Sequence, residues 1–470
     1  MKKIISAACL ACSLIANAKV ITYPAPEGAT LNDAFSVEVS SDGRAWMPVD
    51  VYQVKVNGGA SVRNTSMAYL DCDSVAHVRV VSNSQRVKEA RVRPLSYGIK
   101  PAVNGDTLTF SSLAGQTMSV EVNGDIFDNL QLFVNPIDKN APSPKALKKL
   151  KKNKNYIYLG PGMHKIGNLR VESGQTVYVA GGAVVEGNIV VEDVRDVRVL
   201  GRGIIYPNKG GLKVVRSKNV EIDGLFATQC SVGGSDSVSI TGVKVMSWFG
   251  WGDGFNVFAS SNVRYEDIFA RTSDDCHTIY CTRLGHYGSS NNVSMERAVL
   301  WADVAHPIMI GLHGSFDPAT PDSVTHARYK NIDILDIRER QLDYQGALTI
   351  NAGDNNLVKD IVFEDIRIED FRLSRLFDIR IFYNKKYCKA PGRAIEDITF
   401  KDIVYNGNNS ELSLIIGYDE EHMVRNILFD NLVINGVKIT DDMPGKPKWY
   451  KTGDMARIFI GSHVENVVFK

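Results

Sequence analysis

The chain has 470 residues, 54 Lys+Arg against 53 Asp+Glu, 44% hydrophobic residues and 23% charged ones. These are the proportions of a folded globular protein and exclude wholesale disorder. A formal charge of +1 gives no electrostatic reason to expect nucleic acid or an anionic membrane surface as a partner.

Residues 1–18 read as a secretory signal peptide. Lys2 and Lys3 form a positive start, Ile4 to Ile15 a short apolar stretch, and Ala16-Asn17-Ala18 a small-x-small cleavage site. The apolar stretch is too short to span a bilayer and no other run is longer, so no membrane-spanning segment is expected. The expected location is secreted or periplasmic, with lipid anchoring at Cys12 as the alternative. Cys72, Cys230, Cys276, Cys281 and Cys388 are odd in number and scattered. They lack the paired short spacings of a zinc site and predict neither a disulfide framework nor a structural metal. No cofactor is expected.

From Lys19 to Asn135 short alternating runs such as Val51 to Val56, Val78 to Val81 and Met118 to Val122 are broken by Asn57-Gly58, Asn104-Gly105 and Asn123-Gly124. Hairpin turns between period-2 runs predict a β-sandwich domain over residues 19–135. Residues 136–155 carry Pro136 to Pro144 and then Lys145, Lys148, Lys149, Lys151, Lys152 and Lys154. They read as a solvated interdomain linker, with a polyanion-binding patch as the alternative.

Residues 156–470 repeat themselves. Units open at Asp196, Asn219, Ser237, Asn262, Asn292, His326, Asp360, Asp397 and Asn426, and Asn466 opens a last partial one. In each complete unit the second and fourth residues are apolar or aromatic, and the sixth is Gly or a residue with a polar side chain, as in Asp360-Ile-Val-Phe-Glu-Asp. One strand-turn-strand module per repeat cannot bury its inner face alone, so modules stack, each strand pairing in parallel with its counterpart in the next coil. A propeller is the competing architecture. The single motif per period, the variable spacing of 18 to 40 residues and the polar corner residues predict instead an all-β chain: a β-sandwich followed by a right-handed, single-stranded parallel β-helix.

Two successive coils carry the chemistry candidates. One contains Trp251-Gly252-Asp253-Gly254, the next Ser273-Asp274-Asp275-Cys276-His277. Asp253 and Asp274 are 21 residues apart, about one coil, which sets the carboxyls on adjacent rungs of one face. Crowded acids repel, so at least one should hold its proton to higher pH, as a general acid requires. Glycine on each side of Asp253 is expected to clear room for a ligand. In a regular strand Asp274 and Asp275 would point to opposite faces, so both serve one cleft only if the strand ends or bulges there. A solvated Asp corner or a calcium site is the alternative reading of the cluster.

The Gly252-Asp253-Gly254 and Asp274-Asp275-Cys276 elements, with His306-Pro307 and Gly311-Leu312-His313-Gly314, resemble the pectin-lyase-like β-helical glycosidases. Within them the chain is most similar to family 49 dextranases and isopullulanases, which also place a β-sandwich before the helix, and more distantly to family 28 polygalacturonases. Tyr158 to Gly162 and Trp301 ahead of Val304 to Ile308 also look like the family 49 branch. The resemblance implies an inverting glycosidase in which Asp274 protonates the glycosidic oxygen while Asp253 and Asp275 hold and deprotonate the attacking water. Family 28 reads uronic acids with an Arg-Ile-Lys element; here Arg380-Ile381 is followed by Phe382, which points to a neutral α-linked glucan. Trp251, Tyr280 and Trp301 are expected to stack on or line the sugar, and His277, His306 and His313 to contact or order the site. A glycosidase on a pectic or capsular polysaccharide and a non-catalytic β-helical glycan-binding protein or adhesin are the alternatives.

Overall fold

Each repeat begins with the residue that turns a corner. Asp196, Asn219, Ser237, Asn262, Asn292, His326, Asp360, Asp397, Asn426 and Asn466 all have φ between 54° and 60°. That left-handed conformation costs an ordinary L residue about 1–2 kcal/mol and is best tolerated by Asn and Asp, whose short side chains bond locally. The sixth residue turns a second corner: Gly201, Gly224 and Gly242 first, then Asp267, Arg297, Asn331, Asp365, Asp402 and Asn431, again with positive φ.

The computed structural model describes residues 19–470; the expected signal peptide and Cys12 lie outside the described residues. From Tyr156 onward, 27 strands form one sheet system wound as a β-helix, its coil-to-coil pairings parallel. Register is kept residue on residue: Val263, Val293, Ala327, Ile361, Ile398 and Ile427 stack in one inward column. The next inward column ends in a run of stacked rings. Centroid spacings are 4.9 Å for Tyr329–Phe363, 5.0 Å for Phe363–Phe400, 5.0 Å for Phe400–Phe429 and 4.7 Å for Phe429–Phe469, the interstrand distance itself. At the corner, side-chain amides continue the backbone ladder: Asn262 donates to Asp236 Oδ1 (2.7 Å), Asn292 to Asn262 (2.6 Å) and Asn466 to Asn426 (2.9 Å).

Before the helix, two sheets share one core. Val62–Cys72 and Leu130–Pro136 lie in the first, Phe35–Ser40 and Val75–Ser82 in the second; Leu70, Val120 and Leu132 meet Val37, Val78 and Leu108 between them. Ser143 caps a short helix, Pro144–Leu150, leading to the first coil. The first of these sheets also covers one flank of the β-helix, where Val54, Met67 and Phe133 pack on Ile204, Phe226, Met246 and Phe269. Buried ion pairs cross the same contact, Arg202–Asp71 at 3.0 Å and Arg93–Glu369 at 2.6 Å. The neighbouring flank, built from Gly211–Val215, Gln229–Gly233, Phe255–Phe258 and His277–Tyr280, carries a cleft. Cys72, Cys230, Cys276, Cys281 and Cys388 are buried free thiols, and no helix among the described residues is long and apolar enough to cross a membrane.

Asn426→Val should lower folding stability by roughly 1–3 kcal/mol in urea unfolding, whereas Asn426→Gly, free of steric strain at this corner, should cost less. Equal losses in the two variants would contradict the strain argument.

Candidate active site

Two turns of successive coils nest closely beside the cleft. The strand Ser261–Thr272 ends at Thr272 and the next begins at His277, so Asp274 and Asp275 sit in a turn and escape strand alternation. Opposite them is the turn holding Asp253. A Cβ on Gly252 would fall 2.2 Å from Ser273 Oγ, and one on Gly254 2.6 Å from the Cys276 carbonyl oxygen. Here the structure corrects the sequence reading: both glycines make room for the protein's own next coil, which is what brings the acids together. Ser273 N–H donates to Ser247 Oγ (3.0 Å), Ser273 Oγ–H to the Phe249 carbonyl (2.6 Å), and Gly254 N–H to the Asp275 carbonyl (2.8 Å).

One oxygen each of Asp253, Asp274 and Asp275 can be chosen so that all three lie within 4.8 Å of one another. They line a cleft of about 550 Å³. Burial, reinforced by the Asp275 charge, pushes the Asp253 carboxyl up to about 7. Burial, Asp275 and Asp253 together hold Asp274 well above the usual carboxylate range. Asp275 is gripped by donors. His306 gives its backbone N–H (3.1 Å) and its Nδ1–H (2.7 Å) to Oδ1, and Tyr280 gives its hydroxyl (3.0 Å) to Oδ2. Asn256 donates to Asp253 Oδ2 (2.8 Å) and accepts from the Thr278 hydroxyl (2.8 Å). Three carboxyls at this spacing could hold a divalent cation; on Asp275 the three donors already take three of the roughly four lone-pair sites, leaving one on Oδ2.

Strand alternation decides where the expected contacts fall. Tyr280 and Trp251 line the cleft, Trp251 with 77% of its surface exposed. His313 lines it too, edge-on to Tyr280 at 4.9 Å, and burial lowers its pKa and keeps the ring neutral. His306 is fully buried behind Asp275, against Tyr344, so it orders an acid and does not line the cleft. His277 and Trp301 are corrections. His277 points into the helix with Ile279, its Nδ1 on the Phe255 carbonyl (2.9 Å) and its ring between Tyr265 and Tyr329. Trp301 lies on the flank covered by the N-terminal sheets, beneath the Arg271 guanidinium at 3.9 Å.

The sequence reading passed over Lys213, Asn256, Tyr344 and Tyr387; Arg283 and Lys386 read from the sequence as solvated charges, with binding of a substrate hydroxyl or carboxylate as the alternative, and all six line the cleft. Lys213 had a signal, because Lys213, Ser231, Asn256 and Thr278 are stacked in register one coil apart. Tyr344, Lys386 and Tyr387 arrive on loops from later coils and leave no local mark.

No family model matches the sequence, and no curated protein matches it. Among solved structures, Dex49A from Penicillium minioluteum is similar with a TM-score of 0.62 at 13% identity, over 95% of this chain and 96% of that one. This chain has the fold of that protein. The resemblance to β-helical glycosidases is thereby borne out as a likeness of fold. A Yersinia enterocolitica family 28 exopolygalacturonase matches at a TM-score of 0.48 and 11% identity, over 84% of this chain and 96% of that one. The catalytic domain of a GH87 alpha-1,3-glucanase in complex with nigerose matches at 0.42 and 13%, over 96% and 88%.

The raised Asp253 carboxyl carries a stability prediction. Between an ordinary carboxylate pKa near 3.8 and its folded value of about 7, the unfolded chain releases a proton that the fold retains. Stability therefore falls as pH rises through that window and the loss persists above it. Asp253→Asn should raise the melting temperature by roughly 2–5 °C at pH 8 and by little at pH 4. A variant less stable than wild type at pH 8 would contradict the crowding argument.

Proposed function

We propose that the protein is a glycoside hydrolase that cleaves a polysaccharide by acid–base chemistry. Asp274 acts as general acid, and Asp253 and Asp275 hold and deprotonate the attacking water. The observation that carries this reading is the convergence of three carboxyl groups from two coils in one open cleft, two of them pushed towards the protonated form. A purely glycan-binding protein has no use for crowding acids at a cost in stability, whereas a general acid needs its proton near neutral pH. Asp275, accepting three hydrogen bonds, is oriented as an acceptor of the water's proton. Tyr280 and His306 are its positioning residues.

In this reading residues 19–135 are a β-sandwich domain, 136–155 the linker and 156–470 the right-handed β-helical catalytic domain. Export through residues 1–18 would bring the enzyme to extracellular or periplasmic glycans. The resemblance implies inversion at the sugar centre, with a neutral α-linked glucan as its substrate.

Asp274→Asn should lower kcat by about 10²–10⁴-fold with little change in KM, measured as reducing ends released from dextran, pullulan and acidic polysaccharides. Equal activity in variant and wild type would remove Asp274 as the acid. The anomeric proton signals of the first product, recorded before mutarotation, should show the configuration opposite to that of the substrate linkage. The same configuration would establish retention through a covalent intermediate.

A further inference from the structure

Three cations share the cleft with the acids. Lys213, Arg283 and Lys386 line it together with Asp253, Asp274 and Asp275, and among the described residues those three aspartates are its only acidic lining. Exposed lysines and arginines of the β-helix commonly meet carboxylates: Arg198 bonds Glu221, Arg216 bonds Asp193 and Arg297 bonds Asp267. Among the described residues Lys213 and Arg283 have no such partner, and the Lys386 ammonium meets only the Gln341 amide oxygen (2.6 Å) and the Tyr387 ring (4.6 Å).

Their placement follows from register. Lys213 precedes Asn256 by two coils in one outward column, so its backbone lies roughly 10 Å up the cleft from the coil of Asp253. Arg283 follows the strand His277–Tyr280 directly, in a turn closed by reciprocal backbone bonds with His286 (2.9 Å each), and its charge is felt at both Asp253 and His313. Lys386 comes from the loop after Phe377–Ile381, four pairings beyond the strand of Asn256 and Phe258 on the acids' other side. Cations thus flank the acids along the direction in which the coils stack. Burial pushes Asp253 and Asp274 towards their neutral forms, so the three acids offset the three cations only in part.

We propose that the glycan bound here is anionic, its uronate carboxylates or sulfate esters paired with Lys213, Arg283 and Lys386 on both sides of the acids. This rests on the hydrolase reading only in seating a glycan in this cleft, and it replaces the neutral glucan. The missing Arg-Ile-Lys element excluded one arrangement of cations; these three are assembled from separate coils.

Affinity electrophoresis of the whole protein tests binding apart from cleavage. The gels contain polygalacturonate or a sulfated galactan, their carboxyl-reduced and desulfated forms, dextran and pullulan. Retardation by an acidic polymer, lost when its charge is removed, is expected, and which of the two treatments abolishes it separates uronate from sulfate. Raising NaCl from 20 to 300 mM should weaken retention at least about tenfold, and Lys213→Met and Arg283→Met should each weaken it about tenfold. On a cleaved polymer the same variants should raise KM and leave kcat within about threefold. Retention or cleavage of the neutral polymers alone, or retention of none, overturns the inference. So does an Arg283→Met variant that shifts only the pH profile, since Arg283 would then serve the acids. An acidic polymer retained without release of reducing ends upholds the anionic ligand and removes the hydrolase.

Discussion

The structure depends on parallel coils meeting in register. Each strand of the β-helix obtains its backbone hydrogen bonds from the coils above and below, so a residue can slip only if its whole coil slips. Like therefore rests on like, from the column of Val263, Val293 and Ala327 to the stacked rings of Phe363, Phe400 and Phe429. The constraint is strict along the strands and loose at the corners. A left-handed Asn, Asp or Gly returns the chain to register whatever length of loop has intervened, and so the spacing can range from 18 to 40 residues without disturbing the sheet.

The same constraint builds the site. Because the turn before Phe255 nests on the turn before His277, acids that a free chain would hold apart are pressed together, and Gly252 and Gly254 allow the contact. Mutual repulsion and burial then act against the charged forms, a cost in stability exchanged for a proton held near neutral pH. The arrangement is braced from behind. Arg271, three residues before Asp274, is fully buried; it pairs with Asp303 (2.9 Å), lies over Trp301 and donates to the Ile126 carbonyl (2.8 Å) in the loop before Leu130–Pro136. Arg372 ties Asp303 (2.7 Å) to Asp336 (2.5 Å) in the same network. Paired ions beneath the corner fix its backbone; the acids above it stay free for chemistry.

Charge is thus handled in two ways on adjoining flanks. Where the N-terminal sheets exclude water, the buried guanidiniums of Arg93, Arg202 and Arg271 each have a carboxylate, since an unpaired buried ion is costly. Across the corner the cleft leaves Lys213, Arg283 and Lys386 without acidic partners among the described residues, beside three aspartates. A solvated groove tolerates that imbalance, and a ligand of complementary charge would relieve it.

The sequence by itself determined the coil. Polar corners at fixed offsets and apolar second and fourth positions are local requirements of the stacked strand, imposed on every repeat, and ten units made the pattern readable. It also determined the acid pair, because one coil of spacing between Asp253 and Asp274 is a register statement. Only the tertiary structure decided what surrounds them. His277 and Trp301 looked like site residues by proximity in sequence, but alternation turned one into the lumen and the other under the N-terminal sheets. His306 proved to act on Asp275. Arg283, Lys386 and Tyr344 reach the cleft on loops whose paths no local pattern sets. Strand periodicity is written residue by residue. The direction of a loop, and the flank that a distant sheet covers, are settled only when separate parts of the chain compete for the same surface.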